Sequence, residues 1–283
     1  MARHIVVGVD GSVPATAAVE WAAADAQRRG LGLRIVHVCE QWGYGDGATK
    51  YCAGALAAAA DRARGLTRDV EVTTELLPGH VIDTLIGESA SADSVVLGSR
   101  GLGGFAGLVV GSVGLGVAGH AAGAVVIVRG PSVVQYGRVV VGDDGSDESE
   151  AAVQYAVEQA RARGVPLQVV FAWQMPIAPP LAAGYSKILE GAREHEIRMA
   201  AERVVPWREK NPDVEIIGKQ VVGHPAEVLI QAGGTADLVV VGSRGLGGFA
   251  SAVLGSVSHA VLHHLKYPVA VVRAPHGSGE TTS

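Results

Sequence analysis

The chain has 283 residues, of which 48% are apolar and 18% charged, with a formal net charge of -5. That length and apolar content suffice for two cores of about 130–140 residues each, the common domain size. The acidic balance, without a basic cluster, lacks the electrostatic footprint of a nucleic-acid binder, so no nucleic-acid partner is expected.

In chain order, His4 to Val9 reads as a strand that begins almost at the first residue, which leaves no room for a signal peptide and points to the cytoplasm. Asp10-Gly11-Ser12 follows, and Ser12 with Pro14 supplies the chemistry of a helix start. Ala18, Val19, Ala22, Ala23 and Ala26 give that helix an apolar stripe, and Leu33 to Val38 is the second strand. The same order returns at an offset of 134, with a strand at Arg138 to Asp143, then Asp144-Gly145-Ser146, a helix to about Arg163, and a strand at Leu167 to Ala172. Third strands are expected at Asp69 to Leu77 and Val214 to Val221, now at an offset of 144. The ten extra residues therefore lie between the second and third strands of the second copy. Short buried strands follow at Ser94 to Gly98 and Leu238 to Gly242, and final ones at Val125 to Val128 and Val269 to Val272.

Strands alternating with helices predict an α/β fold, here two tandem doubly wound five-stranded parallel sheets flanked by helices, with right-handed crossovers. The expected boundaries are residues 1–131 for the first domain, 132–137 for a linker, 138–275 for the second domain and 276–283 for a disordered tail. The duplication is plainest late in each half, where residues 98–131 and 242–275 agree at 19 of 34 positions without a gap. Cys39 and Cys52 are the only cysteines, have no CxxC spacing and no counterpart in the second half, and are read as free thiols. Residues 104–128 are apolar enough to raise a membrane span. Their second copy carries Ser256, Ser258, His259, His263, His264, Lys266 and Pro268, so no membrane partner is expected.

The repeated segment contains the chemistry. From Gly98 the spacing is two residues to Gly101 and nine more to Gly111-Ser112; from Gly242 it is two to Gly245 and nine to Gly255-Ser256. Glycine lets backbone amides approach an anion, and a serine at a helix start adds a hydroxyl to the helix's own unpaired amides. This is a polyphosphate-binding pattern. It is not a Rossmann turn, because it follows the fourth strand and no acid is placed to hold a ribose. Nor is it a P-loop, because neither copy has Lys followed by Ser or Thr.

Val-Gly-Val-Asp10-Gly-Ser, Ile-Val-His-Val38 and Gly98-x2-Gly101-x9-Gly111-Ser112 together resemble the universal stress protein family in its ATP-binding branch. The resemblance covers the chain once per half, in a tandem form. It implies the adenine-nucleotide α-hydrolase-like fold and one ATP site in each domain, acting as a conformational or interface switch in a stress response, with Mg²⁺ held mainly by the phosphates. The implied site residues are Asp10, Val38, Gly98, Gly101, Gly111, Ser112 and Val113 in the first half. In the second half they are Asp144, Ala172, Gly242, Gly245, Gly255, Ser256 and Val257. The resemblance also implies pseudo-two-fold pairing of the two domains and a homodimer. A slow ATPase or other ATP-using enzyme, and an interaction module without nucleotide turnover, stand as alternatives.

The halves are not equal. Ser258 keeps a hydroxyl that the family places near phosphate, where the first half has Gly114, and the first-half helix is expected to be more mobile because it carries Gly114, Gly116, Gly119 and Gly123. No catalytic residue is assigned, since a lone carboxylate without a partner acid or base is thin support for hydrolysis. Glu194-His195-Glu196 and His263-His264 have no complete metal-ligand spacing and are read as solvated helix faces. Arg100 and Arg244 either neutralise phosphate or face solvent.

Overall fold

The computed structural model describes residues 3–39, 46–102, 110–129, 135–173, 185–246 and 253–274. The chain forms two compact units, Met1–Val126 with Val271–Ser283 and Ile127–Ala270, so the division falls within the last strand of each repeat.

The first repeat runs β1 (His4–Gly8), α1 (Val13–Arg29), β2 (Gly32–Cys39), α2 (Asp46–Leu66), β3 (Val72–Pro78), α3 (Val81–Ser89), β4 (Ser94–Gly98), α4 (Ser112–His120) and β5 (Ala124–Val128). Its sheet order is β3-β2-β1-β4-β5. The pairs β1–β2, β1–β4 and β2–β3 are parallel, with Ile5 opposite both Leu33 and Ser94. Strand order thus reverses at β1, between β2 and β4. At such a switch point the loops on either side turn away from each other and leave a crevice beyond the carboxyl ends of the strands.

The second repeat has β6 (Val139–Gly142), α5 (Asp147–Arg163), β7 (Leu167–Trp173), α6 (Tyr185–Lys210), β8 (Ile216–Val222), α7 (Pro225–Gly233), β9 (Leu238–Gly242), α8 (Ser256–His264) and β10 (Val269–Val272). Its order is β10-β9-β6-β7-β8, with parallel pairs β6–β7, β6–β9 and β7–β8. The switch point is now at β6. The ten extra residues fall between Trp173 and Ile216, where α6 has 26 residues against the 21 of α2.

Burial explains why the strands read as unbroken Val and Ile rather than as alternation. Val6, Val7, Val95 and Val96 in the first repeat, and Val139, Val140, Val239 and Val240 in the second, are fully buried, as sheets covered on both faces require. Ser12 and Ser146 cap α1 and α5 by accepting the amides of Ala15 and Ser149. Gly30 and Gly164 close the same helices in the left-handed conformation, a state that costs residues with a Cβ more.

Some expectations shift. The third strands begin two to three residues later than the alternation suggested, at Val72 and Ile216. Gly123 lies in the turn before β5 and not in α4. The apolar stretch weighed as a membrane span contains α4, a turn and β5, and among the described residues no helix is long and apolar enough to cross a membrane. Residues 103–109, 247–252, 132–134 of the expected linker and the tail at 276–283 lie outside the described residues.

Candidate functional site: a glycine-lined crevice beyond each switch strand

The chain leaves β6 through Asp143 and Asp144 and turns at Gly145, whose φ of +83° is a value that side chains with a Cβ rarely adopt. Gly11 does the same after β1, at +85°. This turn aims the Asp carboxylate across the switch point. Asp144 Oδ1 accepts the Ser146 amide at 3.0 Å and the Ser146 hydroxyl at 2.6 Å, and Oδ2 accepts the Leu246 amide at 3.1 Å. Asp10 repeats the arrangement, taking the Ser12 amide at 3.0 Å and the Leu102 amide at 2.8 Å. The acid at the end of each first strand therefore holds the start of its glycine loop.

Two of the glycines are required by close approach. A Cβ on Gly101 would stand 2.5 Å from Asp10 Oδ2, and one on Gly245 would collide with Asp144 Oδ2. Gly98 and Gly242 abut the first turns of α1 and α5, where a Cβ would meet the backbone of Pro14 and of Glu148. At the far end of the loop, the Gly111 and Gly255 amides donate to the Ser99 and Ser243 carbonyls, both at 2.8 Å. These bonds set the first turns of α4 and α8 beside the loop. Unlike α1 and α5, α4 and α8 have no side chain capping their amino termini. Their first amides, from Ser112 and Val113 and from Ser256 and Val257, are donors without an intrahelical acceptor, at the positive end of the helix dipole.

In the second half these parts enclose one cavity of about 740 Å³. Asp144, Ala172, Gly242, Gly245, Gly255, Ser256 and Val257 all line it, so it collects all seven second-half positions expected from the sequence. Val170, Leu229 and Val241 supply apolar wall, while Arg244 and His259 supply polar rim. The first half repeats the backbone contacts, with Asp10 accepting the Leu102 amide, Gly111 bonded to Ser99 and Val38 half-buried on β2 opposite Leu77, but its cavity of about 500 Å³ lies against α1 and α2 and is lined by none of the seven expected first-half positions.

Electrostatics set the state of these groups. Burial pushes the Asp144 pKa up, but the hydrogen bonds from Ser146, Leu246 and Ser149 outweigh it and hold the carboxyl below its usual range. Asp144 is thus an anion and a poor proton acceptor at neutral pH. Arg244 Nη2 lies 3.5 Å from Glu148 Oε1, which leaves its half-buried guanidinium at the cavity wall, with Nε buried and lacking a hydrogen-bond partner. Its counterpart Arg100 is exposed.

Three details depart from the sequence reading. The Ser258 hydroxyl, expected near phosphate, donates to the Gly242 carbonyl at 2.5 Å and is 3% exposed, so its proton is committed to fastening α8 to the end of β9. His264 is exposed, as a solvated helix face requires, but His263 is only partly exposed: its Nε2 is buried without a hydrogen-bond partner, and burial together with His259, Arg129 and His264 lowers its pKa. Asp143, which the sequence did not single out, accepts the Gly145 amide at 2.8 Å and the Ser149 hydroxyl at 2.9 Å and lines the cavity, whereas the first half has buried Val9 at this place. A second acid beside Asp144 was visible in the sequence as Asp143-Asp144.

Known proteins bear on this architecture. The model of the Universal stress protein family matches residues 1–129 and again 135–273. A universal stress protein of Mycobacterium tuberculosis strain H37Rv is 37% identical over 289 residues, covering 95% of this chain and 96% of that protein. Another from the same strain is 36% identical over 301 residues, covering 96% and 95%. The crystal structure of a universal stress protein from Archaeoglobus fulgidus superposes with a TM-score of 0.75 at 20% identity, covering 97% of this chain and 99% of that one, and so shares the fold.

Proposed function

The chain belongs to the universal stress protein family, and from that premise we propose that each half binds one adenine nucleotide, ATP, as a conformational or interface switch. The observation that carries the reading is the second-half cavity. Its volume of about 740 Å³ lies within the range of small-molecule sites, and it brings an uncapped helix start, two close-approach glycines and an apolar wall to one place.

The parts divide the ligand between them. Backbone amides at Ser256 and Val257, with the Ser256 hydroxyl, face the phosphates; Gly242 and Gly245 let the chain come close to ribose and phosphate; Ala172 and Val170 form the wall for the base. Arg244 adds positive charge at the rim. Both oxygens of Asp144 already accept hydrogen bonds, so Mg²⁺ entering with ATP is held mainly by the phosphates and not by this carboxylate. Bound ATP supplies the negative charge that these donors lack.

Binding without rapid turnover follows from the same geometry. Asp144 is hydrogen-bonded on both oxygens and has a lowered pKa, which suits an anchor and not a general base, and Asp143 beside it is engaged by the Gly145 amide and the Ser149 hydroxyl. Cytoplasmic residence and a homodimer complete the proposal and rest on the family resemblance. The test is nucleotide analysis of freshly purified, acid-denatured protein. Adenine nucleotide approaching one to two equivalents per chain supports the reading, and its absence together with no ATP binding in solution overturns it.

A further inference from the structure

A cluster outside the second-half cavity carries separate chemistry. His37 and Cys39 stand two residues apart at the end of β2, so the pleat sends both side chains to one face of the sheet. Cys52 reaches the same place from α2. A ring nitrogen of His37 and the Sγ atoms of Cys39 and Cys52 all lie within 4.8 Å of one another. Both cysteines are free. His37 is only 6% exposed and its Nδ1 is buried without a hydrogen-bond partner, while Cys52 is 8% exposed.

Packing alone does not account for this set. A buried imidazole nitrogen without a partner is a cost that an apolar side chain avoids. The second repeat takes the apolar course, with Phe171 and Trp173 where the first has His37 and Cys39. The fold therefore places no demand for imidazole or thiol here.

We propose that His37, Cys39 and Cys52 form a Zn²⁺ site of two thiolates and one imidazole, with a fourth position left to an exchangeable ligand. Sulfur and imidazole nitrogen are the donors that zinc prefers over the oxygen-seeking cations Mg²⁺ and Ca²⁺. Tetrahedral zinc, with bonds of about 2.0–2.3 Å, sets its donor atoms about 3.3–3.8 Å apart, so closing this cluster around the ion takes a movement of about 1 Å. Two thiols each give up a proton to solvent on binding, and two thiolates with one divalent cation make a neutral unit that a buried place tolerates. The ion would tie α2 to the end of β2. It would also order the neighbouring Tyr51, whose hydroxyl donates to the Asp10 carbonyl at 3.2 Å. None of the three ligands is among the residues assigned to the nucleotide, although His37 adjoins Val38 on β2.

The test uses the full chain, reduced and then handled without oxygen, titrated with Zn²⁺ against a chromophoric zinc chelator. One equivalent of Zn²⁺ is expected per chain, and Co²⁺ in its place is expected to give sulfur-to-cobalt charge-transfer absorption. Cys39→Ser, Cys52→Ser and His37→Phe, the last restoring the residue of the second repeat, are each expected to weaken uptake by about a hundredfold or more. A second readout needs no variant: Zn²⁺ should shield both cysteines of the native chain from iodoacetamide, as counted by mass spectrometry. No Zn²⁺ uptake by the reduced chain, uptake unchanged in all three variants, or alkylation of both thiols at the same rate with and without Zn²⁺ would each overturn the proposal.

Discussion

The carboxylate of Asp144 accepts the amide of Leu246 at 3.1 Å, joining the end of the second repeat's first strand to the start of a loop 102 residues further along. Asp10 and Leu102 repeat the bond at 2.8 Å, 92 residues apart. The acid that a sequence reader would place against a ligand is thus first a clamp on the loop that forms the crevice. Its replacement should be felt as a displaced loop and, through that, as lost ligand affinity.

Gly245→Ala tests the clamp with one methyl group. The added Cβ would occupy the space of Asp144 Oδ2, and the carboxylate can escape only by giving up Leu246. A charge-assisted hydrogen bond contributes about 1.5–3 kcal/mol, so nucleotide affinity in the second half should fall about tenfold or more while far-ultraviolet circular dichroism stays unchanged. Gly101→Ala should do the same to the first half. Equilibrium binding of a fluorescent ATP analogue to each variant measures both.

Acid should loosen the clamp in a definite direction. The folded pKa of Asp144 is lowered, so its contribution to stability is fully present above the unfolded value of about 3.9 and is lost as pH falls through the lower folded value. Urea midpoints of the native chain and of Asp144→Asn, compared from pH 7 to pH 3, should therefore differ most near neutrality and converge below about pH 4. A difference that grows on acidification would contradict the assignment.

Ser258→Ala removes a buried hydroxyl whose proton already goes to the Gly242 carbonyl. Leaving that buried carbonyl without the donor should cost about 1–3 kcal/mol, read from the urea midpoint. Affinity for ATP should change less than it does in Gly245→Ala. A large loss of affinity with unchanged stability would return the hydroxyl to the phosphates.

Hydrogen exchange should separate the two loop-following helices. The nine residues of α4 include Gly114, Gly116 and Gly119, and α8 has no glycine at all. At about 0.8–1 kcal/mol per glycine relative to alanine, α4 depends more on packing to stay formed. Gly116 gives it that packing in part, since a Cβ there would stand 2.9 Å from Ile82 Cδ1 of α3. Amides of α4 should nonetheless exchange faster than those of α8 in the free protein, and equal protection would contradict this.

Much of this architecture is written in local pattern. Ser94 to Gly98 and Leu238 to Gly242 were legible to the residue, because a short run of Val between turn signals has few other ways to be buried. The crevice was legible because the glycine spacing occurs twice and Asp10 and Asp144 recur at a fixed offset. What escaped depends on side-chain partners that spacing does not encode. Ser258 looks like a phosphate donor until Gly242 is seen beneath it. His263 looks solvated until its buried Nε2 is seen. His37, Cys39 and Cys52 show no metal-ligand spacing because their meeting depends on how the chain returns from β2 into α2.

Calorimetric titration of ATP into the native chain, beside Gly101→Ala, Gly245→Ala and the double variant, reads both crevices in one experiment. Saturable binding at up to two sites per chain is expected, weakened about tenfold or more in one half of each single variant and in both halves of the double. No binding to the native chain, or full binding by the double variant, would contradict the two-site reading.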